Sequence, residues 1–103
     1  MATREKIEFD FRQAMRQADR IEEIADKLSR LSGSKLESSL QNLSVSWKGE
    51  NASAYLAKGS SLQAKMNKTA QGLQAAASDI RTVAKRLYDA EMAALAIASA
   101  RTY

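Results

Sequence analysis

The sequence predicts an all-α protein: a helix–turn–helix hairpin that dimerises, antiparallel, into a four-helix bundle. The 103 residues include no Pro and only four Gly, so little in the chain interrupts a helix. Hydrophobic residues make up 45% of the chain, much of it Ala, while aromatic residues make up only 6%. This composition suits closely spaced helices better than a deep globular core. Apolar residues also recur at three- and four-residue steps in both halves, as on one face of a helix.

The first helix is predicted at about residues 4–44. Its apolar stripe keeps the three-four spacing, and acid-then-base pairs such as Glu23–Lys27 lie four residues apart away from the stripe. The stripe consists of Phe11, Ala14, Ala18, Ile21, Ala25 and Leu28, with Met15, Ile24 and Leu31 beside it.

Ser32-Gly33-Ser34 interrupts this stripe and has two interpretations. Ser34 with Glu37 has the form of a capping box, which would end the first helix here. The segment is alternatively a kink within one long helix. We favour the kink, because the apolar spacing resumes at once with Leu36, Leu40, Leu43 and Trp47.

The chain reverses at about residues 45–50. Gly49 can adopt the left-handed conformation that stops a helix, and Glu50 and Asn51 suit the first turn of the next helix. This is the one credible reversal, and it lies near the middle of the chain. We therefore expect residues 1–103 to form a single hairpin domain.

The second helix is predicted at about residues 51–98. An apolar line runs along it from Ala52 to Ile97 in alternating steps of three and four residues, and only Gly59 and Thr69 interrupt it. Such a seven-residue repeat is typical of helices wound in a left-handed supercoil. Leu56, Ala70, Ala77 and Ala84 widen the line on one side, so that it can contact two neighbouring helices. Because a lone hairpin leaves part of this surface exposed, we expect a dimer of hairpins. The predicted hairpin and dimer seam includes Phe11, Ile21, Leu28, Leu62, Met66, Leu73, Ile80, Val83 and Leu87.

The residue types argue against catalysis. The chain has no Cys and no His, which removes thiol chemistry, the usual zinc sites and the commonest general base. The closest carboxylates, Glu22 with Glu23 and Asp89 with Glu91, accompany neither a nucleophile nor a metal-ligand set. We expect no enzyme activity, no cofactor and no metal.

The charge pattern predicts no nucleic-acid partner. The formal charge is +4, and the segment from Lys58 to Arg86 carries six basic residues against Asp79 alone. This segment lacks interleaved aromatic residues, so we interpret it as a solvated face. The charged N-terminus has no apolar segment after it, and the longest apolar run, Met92 to Ala98, is far shorter than the ~20 residues that span a bilayer. We expect no cleavable signal peptide and no stable membrane insertion.

Trp47-Lys48-Gly49, at the turn between two long helices, resembles the signature of the WXG family of small type VII secretion substrates. The resemblance extends over the whole chain through its length, the central position of the motif and the two helices. Gly49 permits the reversal, and Trp47 places a large amphipathic ring beside it. Without the family, a ring that only plugs the end of the bundle is the simpler interpretation.

The family also carries a tail motif, a Tyr followed four residues later by an acidic residue. Here Tyr88 is followed by Glu91 at three residues and by Met92 at four. Residues three and four apart share a helix face, so Tyr88 and Glu91 can present a similar surface as an export signal. The alternative is that both are ordinary surface residues beside Leu87.

The resemblance implies a protein exported through a type VII system after folding in the cytoplasm. It implies pairing with a second WXG-like hairpin or with itself, and recognition by the type VII secretion ATPase. An alternative is a cytosolic targeting partner that pairs with the helical N-terminal region of a larger type VII toxin. A third is a cytosolic coiled coil with no export role.

Overall fold

The computed structural model describes residues 3–46, 49 and 52–101 in full, and residues 50 and 51 by their backbone. Helix α1 spans Arg4–Arg30, a π-helical turn spans Leu31–Leu36, helix α2 spans Glu37–Ser46, and helix α3 spans Glu50–Ala100. No strand occurs in the described part of the chain. Two helical arms joined by a turn pack against each other, which confirms the all-α hairpin. Dimerisation stays a prediction.

Helix α1 begins with a side-chain cap. The hydroxyl oxygen of Thr3 accepts a hydrogen bond from the backbone N–H of Lys6 at 3.2 Å, and the Thr3 carbonyl accepts one from the N–H of Ile7 at 3.0 Å. The first bond pairs one of the donors that a helix start leaves unpaired, and the second is the first regular backbone bond of the helix.

The first arm does not end at Ser32-Gly33-Ser34. Instead of capping a new helix, the Ser34 hydroxyl donates to the carbonyl of Arg30 at 2.9 Å, and the chain passes through the π-helical turn into α2. The segment thus remains inside one continuous helical arm, as we favoured. A π-helical turn accommodates an extra residue within an α-helix.

The apolar pattern explains why the extra residue is placed there. Leu28, Ser32, Leu36 and Leu40 are buried or half-buried and follow one another at three successive four-residue steps. In a regular α-helix, at about 100° per residue, these steps would rotate Leu40 about 120° away from Leu28. The wider π-helical turn absorbs this rotation and keeps the leucines on one face.

The chain divides into two compact units by its internal contacts. The terminal unit comprises Met1–Ile21 and Ala75–Tyr103, and the central unit comprises Glu22–Gln74. Small side chains form most of the core of each unit, and they let the helices approach closely. Among the residues that the structure describes, those buried are Ile7, Ala18, Ala77 and Ala84 in the terminal unit, and Ala25, Ser32, Ala52 and Ala70 in the central unit.

On α3, the side that packs inside the hairpin is the widened side of the predicted stripe. In the central unit Leu56 is half-buried and Ala70 buried, whereas Tyr55 and Leu62 are 58% and 51% exposed. The terminal unit repeats this arrangement. There Ala77 and Ala84 are buried, and the large apolar side chains left exposed on α3 are Val83, Leu87 and Ile97.

Candidate functional site: the turn, the tail and the exposed apolar side chains

The turn places Gly49 at the start of α3. Its carbonyl accepts the first backbone hydrogen bond of the helix from Ser53, at 3.1 Å, and its φ angle is +122°. No other described residue has a positive φ. A side chain at this backbone conformation would be strained, so the turn requires glycine here. Trp47, the other residue of the turn motif, lies outside the described residues.

The tail residue Tyr88 packs inside the terminal unit. Its ring lies against the ring of Phe11, with the centroids 4.8 Å apart and the planes tilted by 41°. Tilted and offset aromatic pairs contribute about 0.5–1.5 kcal/mol beyond the area that they bury. The pair joins α1 to α3 across the hairpin, so Tyr88 contributes to the packing of the fold.

Glu91 borders the same site. Both Tyr88 and Glu91 are half-buried, and both line a narrow cavity of about 50 Å³ together with Asp10 and Phe11. The two residues thus share one helix face. Part of that face is turned towards α1, so the surface they offer to another molecule is smaller than the sequence suggested.

The nine predicted seam residues fall into two groups. Six of them are half-buried within their own unit. The others are exposed. The half-buried group is Phe11, Ile21, Leu28, Met66, Leu73 and Ile80, and the exposed group is Leu62, Val83 and Leu87.

A polar contact in the central unit was not foreseen from the sequence. Ser32 is fully buried, and its hydroxyl lies within hydrogen-bond distance of Asn67 Oδ1, at 2.5 Å, and of the carbonyl of Ser29, at 3.0 Å. One hydroxyl proton serves one of these acceptors at a time. Gln63 Nε2 donates to the Ser32 carbonyl at 2.7 Å. Specific polar contacts between two helices favour one register over others.

Gly59 marks a close approach between α2 and α3. A Cβ atom at this position would overlap Leu40 Cδ2 and would lie 3.3 Å from both Cδ1 and Cγ of that side chain. Because residue 59 has no side chain, Leu40 can pack directly against the backbone of α3.

The basic segment of α3 is only partly paired. Arg81 forms an ion pair with Asp19 of α1 at 2.8 Å, and Lys85 forms one with Asp89 at 3.3 Å. Lys58, Lys65 and Lys68 are exposed. Exposed pairs such as these contribute about 0–1 kcal/mol each, so they do not determine the fold.

Neither a metal site nor a membrane span is evident in the described residues. They contain no group of three or more acidic side chains placed to hold a metal ion. None of their helices combines the length and the apolar character that crossing a bilayer requires.

The fold, the glycine turn and the exposed apolar side chains define a small helical-hairpin protein with surfaces suited to protein–protein contact. The chain belongs to the WXG100 family, described as proteins of 100 residues with WXG, whose model matches residues 6–92. Members of this family are small helical hairpins that are not enzymes, are secreted through type VII systems and generally pair with other WXG proteins. No curated protein and no solved structure matches the chain significantly.

Proposed function

We propose that this protein acts through protein–protein contact after export by a type VII system. It would travel as a folded hairpin, paired antiparallel with a second hairpin in a four-helix bundle. The type VII secretion ATPase would recognise the pair. Membership of the WXG100 family supports the export route, and the exposed apolar side chains support the pairing.

The observation that carries this proposal is the spacing of the exposed side chains on α3. Tyr55 and Leu62 lie seven residues apart in the central unit, and Val83 and Ile97 lie fourteen apart in the terminal unit. All four are more than half exposed. Large apolar side chains at a heptad spacing are typical of a helix face that packs against another helix.

The first test is assembly. Light scattering of the purified chain, alone and mixed with candidate partner hairpins, should show a species of two hairpins with high helix content by circular dichroism. A chain that remains monomeric at micromolar concentration with every candidate would contradict the pairing. Secretion from the native host should cease when the type VII ATPase is inactivated, and continued secretion would contradict the export route.

The tail motif favours a second candidate function. Position four after Tyr88 is Met92, whereas Glu91 lies at three residues, and both Tyr88 and Glu91 are half-buried. A partner that carried its own export signal would compensate for such a tail. In this version the protein remains in the cytosol and delivers a larger type VII toxin by pairing with its helical N-terminal region. Loss of toxin secretion on deletion of the gene, with the protein itself retained in cells, would distinguish the two.

A further inference from the structure

A groove in the central unit brings together two exposed leucines from the two arms. Leu31, at the start of the π-helical turn, and Leu62, on α3, are 46% and 51% exposed. They line one open groove of about 270 Å³. Its other lining residues are Lys35, Leu36, Ser39 and Met66. Its floor is therefore largely apolar, and the one charged residue among those lining it is a lysine.

Lysines also flank the two leucines of the groove along each helix, as the neighbours of each leucine show. Side chains three and four residues apart are neighbours on a helix surface. Around Leu62 these neighbours are Lys58, Gly59, Lys65 and Met66. Around Leu31 they are Lys27, Leu28, Ser34 and Lys35. Neither leucine has a carboxylate at any of these positions.

The four flanking lysines, Lys27, Lys35, Lys58 and Lys65, are all exposed. None of them forms an ion pair with another described residue. Their charges can therefore interact with charged groups of a molecule that covers the two leucines. The surface thus combines an apolar floor with a positive rim.

We propose that this groove receives an amphipathic helix of a different protein, whose apolar stripe is flanked by carboxylates. The inference rests on the proposed pairing function and adds the chemistry of the partner. Opposite charges at the rim of an apolar contact accelerate association and exclude mismatched partners. A helix with glutamates or aspartates beside its apolar stripe would bring them within reach of all four lysines.

A second copy of this chain matches the groove poorly. If it presented its own groove, four lysines would face four lysines, which opposes association. The exposed apolar residues of the terminal unit have mixed neighbours. Val83, for example, has Asp79 on one side and Arg86 on the other. The partner favoured by the charges is therefore a different chain.

Two synthetic helices test the inference on the full-length protein. Both carry leucine at the a and d positions over about four heptads, one with glutamate and the other with lysine at the e and g positions. Titration calorimetry should show binding of the glutamate-flanked helix that weakens as salt is added, and no binding of the lysine-flanked helix. Equal affinity for the two helices, or no binding of the glutamate-flanked helix at about 1 mM, would overturn the inference.

Matched variants locate the binding to this groove. The double change Lys58→Glu and Lys65→Glu should weaken binding of the glutamate-flanked helix about tenfold and allow the lysine-flanked helix to bind. Lys68→Glu is the control, because Lys68 is also an exposed lysine of α3 but is not a neighbour of Leu62. Unchanged circular dichroism should show that each variant is folded. An equal effect of Lys68→Glu would place the binding elsewhere.

Light scattering distinguishes failure of this inference from failure of the proposed pairing of hairpins. A stable homodimer that the lysine changes do not affect would contradict the inferred partner with flanking carboxylates, but it would agree with the proposed pairing of hairpins. A monomer that binds neither synthetic helix nor any candidate hairpin would contradict both.

Discussion

The centroid of the Tyr88 ring, in the second half of α3, lies 4.8 Å from the centroid of the Phe11 ring in α1. This contact gives the tail residue a structural role that any export experiment must separate from recognition. Replacing Tyr88 by alanine removes the ring from the terminal unit, whereas replacing it by phenylalanine removes only the hydroxyl.

We expect Tyr88→Ala to destabilise the protein by about 2 kcal/mol, because a large half-buried side chain and its aromatic partner contact are lost. Tyr88→Phe should unfold at nearly the wild-type temperature. If the hydroxyl forms part of an export signal, Tyr88→Phe should be folded but not secreted. Thermal unfolding and a secretion assay on both variants check this, and normal secretion of Tyr88→Phe would remove the hydroxyl from the signal.

Trp47→Ala tests the turn motif. If Trp47 and Gly49 of one hairpin lie near Tyr88 and Glu91 of its partner and form a composite recognition patch, this variant should remain folded and paired but should not be exported. Secretion and circular dichroism are measured on the same preparation. Loss of export together with loss of folding would support the interpretation in which Trp47 only plugs the end of the bundle.

Gly59 and Gly72 form a matched pair on α3. Gly72 has open space around the position of a Cβ atom, so Gly72→Ala should stabilise the helix by about 0.5–1 kcal/mol. In Gly59→Ala the new methyl group would displace Leu40, which should offset the same gain and lower the unfolding temperature. Chemical unfolding of both variants decides this. Equal stabilisation by the two substitutions would show that Leu40 and α2 move to accommodate the methyl group at little cost.

Leu73→Asp tests the core of the central unit. Leu73 is half-buried on α3, and an unpaired carboxylate there should cost several kcal/mol and unfold the protein or dissociate its pair. Lys68→Glu, on the same helix and exposed, should leave the unfolding temperature almost unchanged. An unfolding temperature that barely moves for Leu73→Asp would show that the heptad line is not a packing seam.

The sequence was sufficient to predict the two arms, because the absence of Pro and the three-four spacing act locally. It did not decide which side of the wide stripe on α3 packs inside the hairpin. Leu62 and Gln63 lie on different sides, and both residue types are compatible with a helix. In the structure Gln63 is half-buried, and its amide donates to the carbonyl of Ser32. That contact joins residues 31 apart in the sequence, and no local pattern indicates it.

The candidate site was harder to predict for the same reason. A tyrosine late in the chain has the same spacing whether it faces solvent or another arm. Tyr88 is half-buried because Phe11 meets it across the hairpin, a relation set by the register of the arms. Gly49, by contrast, was identified from its residue type alone, since a reversal between two helices favours a positive φ.

The π-helical turn also affects how the length of the chain can change. Removing Gly33, whose Cβ position is open, would leave Leu28, Ser32 and the three following leucines at four-, three-, four- and three-residue steps. An ordinary α-helix would then hold the same face towards α3. A one-residue deletion within α1 would instead rotate the following apolar side chains by about 100°. Within the first arm, the segment Leu31–Leu36 is thus the place where one residue can be lost while the leucines on either side keep their partners.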